Sequence, residues 1–241
     1  MGRQDIHNSD VPVLCRSCEV RHRGLCGALD ADQLLTLSRH TRMVRRPAGD
    51  ELIADDTEVT RYANVMRGVV KLSKMLEDGR QQVVGLQFAP DFLGRLYGEQ
   101  SRITAEAASE VELCTVPRET LERLVAEHPA LERRLLEQTL RELDDARDWM
   151  VTLGRKTAGE KVASFLHMVA LHIEPEGGTG EKTRAEFDLP LSRADIADFL
   201  GLTVETVSRQ ITRLRKDGVI SVENNRSFTI PDLKRLEARC G

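Results

Sequence analysis

The sequence predicts an α+β fold in three successive parts: a small antiparallel β-barrel, a long helix and a C-terminal winged helix-turn-helix. Three observations carry that expectation. Leu189 to Val219 reads as two short helices joined at a glycine. Met43 to Val116 breaks into short stretches separated by turn residues, the rhythm of a barrel or sandwich. Between Pro129 and Leu153, apolar residues recur at spacings of three and four, the register of a helix that pairs with another.

Residues Met1 to Asp30 are polar and lack apolar periodicity, which puts Cys15, Cys18 and Cys26 on loop or short-turn backbone. Asp32 to His40 reads as a short helix. In the barrel, Asn64 to Leu72 and Gln82 to Phe88 read as strands, punctuated by Pro47-Ala48-Gly49-Asp50, Glu77-Asp78-Gly79 and Ala89-Pro90-Asp91. Pro129 suits a first helical turn, where its missing N–H has no helical partner to lose, and Gly154 is a natural stop. Leu136, Leu143, Ala146, Met150 and Leu153 form the seam of this helix, with Thr139 in the remaining position. One face of such a helix can pack on the barrel while the seam pairs two copies. Thr157 to His172 is expected to bury Val162, Phe165, Leu166 and Val169, and Glu174 to Arg184 reads as a loop.

In the last part, Ser192 can cap a helix whose inward face is Ala194, Ile196, Ala197, Phe199 and Leu200. Gly201 permits the tight turn, since it has no Cβ to clash at positive φ. Thr203 caps the second helix, with Val204, Val207, Ile211 and Leu214 as its buried stripe. Val219 to Val222 and Ser227 to Ile230 form a hairpin wing across Asn224-Asn225. Glu205, Ser208, Arg209 and Arg213 then lie on the free face, near the start of a helix shaped to enter a DNA major groove. Arg209 can pair with guanine O6 and N7, and Glu205 can accept from a cytosine amino group. Arg213, Arg215 and Lys216 would add affinity through phosphates, with little sequence information.

Composition narrows the classes. The chain has 241 residues, 40% of them hydrophobic, and a net charge of −4, enough for one large or two medium domains. The charge is uneven: Arg209, Arg213, Arg215 and Lys216 stand against Glu205 in the second helix, whereas Glu119 to Asp148 is rich in acids. A basic face on an acidic body suits a specific DNA reader. No apolar run is long enough for a membrane span and the N-terminus lacks a signal pattern, so a cytoplasmic protein is expected. In that compartment the C-x2-C-x7-C cluster points to metal binding or redox chemistry rather than disulfides. Cys240 has no partner in the pattern. No nucleophile–base pair, phosphate-binding glycine loop or metal-hydrolase motif occurs, so an enzyme is not expected.

Barrel, long helix and winged helix-turn-helix, in that order, resemble the CRP/FNR superfamily of bacterial transcription regulators. The stretch Leu200 to Gly218 is similar to its FNR and FixK branch, as are the turns Gly68-Val69-Val70-Lys71 and Pro90-Asp91-Phe92-Leu93-Gly94. The resemblance implies a cyclic-nucleotide-binding-like jelly roll at 31–117, after a cysteine-bearing sensor segment at 1–30. It further implies a dimerisation helix at 118–153 and a DNA-binding domain at 154–241. It implies that Glu205, Ser208 and Arg209 read a TTGAT-type half-site, with Thr203, Arg193 and Arg213 also at the DNA. FnrN-like oxygen sensors of this branch carry an N-terminal cysteine trio and one distant cysteine. By that likeness Cys15, Cys18, Cys26 and Cys114 hold a [4Fe-4S] cluster, for which soft thiolate donors are suited. Zinc on the same thiolates, or unliganded cysteines in a regulator of another signal such as nitric oxide or a small ligand, are the alternatives. Cyclic AMP is not expected, because Arg95 rather than a glutamate follows Gly94, and Ser101-Arg102-Ile103-Thr104 lacks the family's Arg-Ser-Ala. Implied partners are double-stranded DNA, a second copy of the chain, and RNA polymerase, which would meet surface loops around Glu77 to Gln82.

Overall fold

The computed structural model describes residues 11–16, 18, 20–173 and 183–241. The expected sensor segment is therefore described only from residue 11, and residues 174–182 of the expected loop lie outside the described residues. The chain divides into two units, Met1–Leu72 with Leu86–Leu143, and Ser73–Gly85 with Asp144–Gly241.

The first unit opens with a short helix α1 (Val13–Arg16), a 3-10 turn at Leu25–Ala28 and helix α2 (Ala31–Ser38). Asp30 caps α2 in a capping box with Gln33, which satisfies donors a helix start otherwise leaves unpaired. The strands that follow are β1 (Arg42–Arg46), β2 (Glu51–Ile53), β3 (Arg61–Arg67), β4 (Val70–Met75), β5 (Gln81–Gln87), β6 (Phe92–Leu93), β7 (Thr104–Ala107) and β8 (Val111–Pro117). They form two four-stranded sheets, in the orders β1-β8-β3-β6 and β2-β7-β4-β5. This is the double-sheet form of a jelly roll. The stretch Asn64 to Leu72 is two strands, not one. It breaks at Gly68, where φ is 83° and a Cβ would collide with the Glu110 carbonyl.

Alternation along β3 and β8 builds two cores. Ala63, Val65, Val111 and Leu113 join the core that includes Val70 and Ala105. Tyr62 and Val116 lie at the opposite parity and join a second core with Leu25, Leu34, Leu121, Leu131 and Leu135. Successive strand residues face opposite sides of a sheet, so one face of β3-β8 meets the other sheet and the other meets helices. Each fully buried leucine there contributes about 1.5–3 kcal/mol.

Helices α3 (Arg118–Glu127) and α4 (Pro129–Arg155) are separate, so 118–153 is not one helix. His128 between them is extended, at φ −128° and ψ 92°, because a following proline disfavours the helical conformation. Gly154 lies inside α4 rather than ending it. The buried apolar residues of α4 are Leu131 and Leu135, with Gln138 and Thr152 buried as well, whereas Leu136, Leu140, Leu143, Met150 and Val151 are exposed. Thr139 is also exposed, with its hydroxyl donating to the Leu135 carbonyl, and Leu153 is half-buried.

In the second unit, helix α5 (Ala158–Ile173) buries Val162, Phe165, Leu166 and Val169 completely. Trp149 meets Phe199 edge-on at 4.6 Å, and Phe199 meets Phe165 at 5.7 Å. Strand β9 (Ala185–Asp188) adds to the wing, a three-stranded sheet in which β11 (Ser227–Ile230) lies between β10 (Ser221–Glu223) and β9. Helices α6 (Arg193–Leu200), α7 (Val204–Lys216) and α8 (Leu233–Glu237) complete it.

Candidate nucleic-acid interface and cysteine site

The reader motif is fixed by local chemistry. Ser192 accepts from the Asp195 amide, and Asp195 returns to the Ser192 amide. Gly201 ends α6 in the left-handed conformation, at φ 61° and ψ 43°. Thr203 accepts from the Thr206 amide at the start of α7. Ile196, Ala197, Phe199, Leu200, Val207, Ile211 and Leu214 are buried. Two residues depart from the expected apolar faces: Ala194 is exposed and Val204 is 41% exposed. Val204 sits at the first turn, where no neighbouring helix covers it.

Glu205, Arg209 and Arg213 are exposed and Ser208 is half-buried. Backbone and Thr203 hydrogen bonds hold the Glu205 carboxyl below its ordinary range, so it is an acceptor at neutral pH. Arg209 Nη2 donates to Thr206 Oγ1 at 3.3 Å, which orients its guanidinium. Ser208, Arg209, Thr212, Arg213 and Lys216 line one open groove. Thr212 was not singled out from the sequence, although its spacing of four from Ser208 puts it on the same face. Arg193 lies 5.3 Å from the centre of the Phe228 ring and donates to the Asn225 carbonyl at 3.3 Å. Burial lowers its pKa, and these contacts tie the wing turn to the start of α6. That turn contains Asn224 and Asn225 at φ 50° and 58°, left-handed positions that asparagine tolerates.

The cysteine site lies on the helix-covered face of the first unit. Cys114 is on β8, directly opposite Met43 of β1 and Asn64 of β3. Cys15 is on α1, Cys26 on the 3-10 turn, and both pack against the outer core. All four cysteines are half-buried and none forms a disulfide. Burial pushes the Cys26 thiol up to about 12, aided by charge repulsion from Cys114, Cys18 and Cys15. Burial raises Cys114 to about 11, with repulsion from Cys18 and Cys15, while a Thr41 hydrogen bond opposes it. Burial, then Cys18, raises Cys15, and Arg21 opposes this. The four sulfurs therefore stand within electrostatic reach of one another. Cys26 and Cys114 share a cavity of about 20 Å³ with Leu25, Leu29, Leu37, Thr41, Asn64, Val116, Leu121 and Leu131.

The chemistry of the donor set fits an iron–sulfur group: the two cavity thiols and the two nearby ones are soft donors, and no carboxylate or histidine lines the cavity. Among the described residues, however, no three His, Cys, Asp or Glu side chains are drawn together closely enough to hold a metal ion. Cys240 lies apart, on the second unit, with its Sγ against the Leu236 carbonyl. Among the described residues no helix is long and apolar enough to cross a membrane.

Residues 160–239 match the Crp-like helix-turn-helix domain, and 43–128 match the cyclic nucleotide-binding domain. A probable transcriptional activator of Rhizobium leguminosarum bv. viciae is 54% identical over 98% of this chain and 97% of its own length. The transcriptional activator protein FnrL of Cereibacter sphaeroides is 39% identical over 96% of this chain and 95% of its own. The solved structure of FixK2 from Bradyrhizobium japonicum superposes with a TM-score of 0.74 at 31% identity, covering 83% of this chain and 98% of that one. These relatives are DNA-binding transcription regulators rather than enzymes. The chain belongs to the FNR/FixK branch of the CRP/FNR family.

Proposed function

We propose that this activator is an oxygen-responsive dimer that reads a TTGAT-type palindrome when Cys15, Cys18, Cys26 and Cys114 hold a [4Fe-4S] cluster. The observation that carries the reading is that Cys26 of the N-terminal segment shares a cavity with Cys114 of β8, with Cys15 and Cys18 within electrostatic reach of both. When bound, the cluster supplies an oxygen-labile crosslink between that segment and the sheet. The residues around it do the rest. Leu25 and Leu29 pack with Leu131 and Leu135 of α4 in one core, so the segment's placement bears on the helix. The exposed stripe Leu136, Leu140, Leu143 and Met150 is the pairing face, with Ala146 beside it. Pairing sets two α7 helices at half-sites about one DNA turn apart. A bound state shifts the monomer–dimer balance only by binding the paired form better than the unpaired one.

Glu205, Ser208 and Arg209 read bases in this proposal, Thr203 and Arg213 support them, and Arg193 positions the wing. Nucleotide sensing is disfavoured, since Arg95 rather than a glutamate follows Gly94 and Ser101-Arg102-Ile103-Thr104 lacks the Arg-Ser-Ala run. The Glu77–Gln82 turn is the surface offered to RNA polymerase. There Asp78 and Arg80 pair with each other at 2.7 Å.

The test is binding of the full chain to a TTGAT palindrome, prepared without air and then exposed to it. Tight binding that weakens on exposure, and that Cys114→Ser abolishes, supports the reading. Equal binding in both conditions, with zinc or nothing on the thiols, overturns its oxygen-sensing part and leaves the DNA reader standing.

A further inference from the structure

Asn64 lies beside the cysteine site without a settled hydrogen-bonding role. Its Oδ1 is fully buried and accepts no hydrogen bond. Buried polar side-chain atoms nearly always find a partner, and an unpaired one is destabilising. The residue is held on β3 directly across from Cys114 on β8, between Ala63↔Thr115 and Val65↔Leu113 in the register. Side chains directly opposite on neighbouring strands share a face, with Cβ atoms about 4.5–5.5 Å apart. Asn64 and Cys114 indeed line the same small cavity, together with Thr41 and Cys26. Thr41 already donates its hydroxyl to the Ser38 carbonyl at 3.1 Å. The other lining residues are apolar apart from Cys26, so the two sulfurs are the partners this cavity offers the amide, and Cys114 is the one directly across the strands.

We propose that Asn64 is a positioning residue that donates an amide hydrogen bond to the Cys114 sulfur when that sulfur is a cluster ligand. A half-turn about the last side-chain bond exchanges the amide's oxygen and nitrogen with little change of shape. A ligated thiolate is an acceptor, whereas the amide oxygen has no donor to meet there. Hydrogen bonds to the sulfurs of an iron–sulfur site set its potential and its exposure to attack. The Asn64 bond therefore makes the cluster more resistant to oxygen than four bare thiolates would. This inference rests on the cluster reading given above.

The test uses the full chain, reconstituted without air with iron and sulfide, as wild type and as Asn64→Leu, Asn64→Asp and Asn64→Ser. The readouts are the rate at which visible absorbance bleaches under a fixed oxygen concentration, and the iron–sulfur stretching bands in the resonance Raman spectrum. Asn64→Leu removes all polarity, and Asn64→Asp keeps the shape but, ionised, only accepts. Both are expected to bleach about 10-fold faster and to shift the iron–thiolate bands. Asn64→Ser retains a donor and should stay within about twofold of wild type. If only one of the Leu and Asp variants changes, the effect is packing or charge and the proposal falls. Wild-type rates and bands in both also overturn it. A wild-type chain that takes up no cluster fails earlier and removes the underlying reading as well.

Discussion

Arg134 on α4 donates from Nη2 to the main-chain carbonyl of Arg23 at 2.6 Å. Arg23 lies between Cys18 and Cys26, and Leu136, two residues after Arg134, begins the exposed stripe of α4. One guanidinium thus joins the cysteine segment to the helix that carries the proposed pairing face. Leu131 and Leu135 add apolar contact with the same segment.

Replacing Arg134 with methionine keeps the apolar stem and removes the donor. A hydrogen bond from a charged group at this exposed position is worth about 1 kcal/mol, or roughly a fivefold change in local opening. Amide exchange of residues 20–26 should accelerate by that factor while α5 is unaffected. Unchanged exchange would show that the apolar contacts alone hold the segment.

Glu122 collects three donors on one oxygen: Tyr62 Oη at 2.7 Å, Arg118 Nε at 3.0 Å and the Tyr97 amide at 3.2 Å. Burial works to raise its pKa, but these donors outweigh it and hold the carboxyl below the ordinary 4.5. A carboxyl depressed in the folded state stabilises above its unfolded pKa, and that stability is lost as pH falls through the folded value. Denaturant midpoints should therefore fall as pH drops below about 4.5, and Glu122→Gln should flatten that limb. An equally steep acid limb in Glu122→Gln would place the proton uptake elsewhere.

The pairing face makes a register prediction. Leu140→Asp should raise the dimer dissociation constant at least about tenfold, since burying a leucine is worth about 1.5–3 kcal/mol. Thr139→Asp should matter less. Sedimentation equilibrium reads both, and the reverse order would place Thr139 rather than Leu140 in the seam.

At the DNA, Arg209→Ala should cost about 1–3 kcal/mol and relax selection at one base pair. Lys216→Ala should weaken all sequences alike and reduce the salt slope by about one. Titrations at two salt concentrations, with the palindrome and single-base variants, separate the two. Uniform loss from Arg209→Ala would reassign it to a phosphate.

The reader was legible because its signals are local. Ser192, Gly201 and Thr203 each act within four residues of themselves, and the spacing of Val207, Ile211 and Leu214 needs no distant partner. What stayed hidden depends on pairing across the chain. Strand β9 is four residues long, too short for a clear alternation, and it forms because Phe187 stacks on Phe228 at 6.0 Å. The contacts of Arg193 with Phe228 and Asn225 were hidden because those partners lie more than thirty residues away. The exposed Leu140 was hidden because one helix face fits two nearly equal registers, and only the burial of Leu131 and Leu135 tells which side is covered. The four cysteines were legible as a set through the family likeness. Asn64 beside Cys114 was not, because that neighbourhood exists only in the register of β3 on β8.

The central claim is that these four cysteines carry an oxygen-labile cluster. Iron and acid-labile sulfide analysis of the chain purified without air, with absorption spectra before and after oxygen, tests it most directly. The account predicts about four iron and four sulfide per chain and a broad visible band that bleaches in air, all lost in Cys114→Ser. A colourless, iron-free protein that binds the palindrome equally with and without air would contradict it.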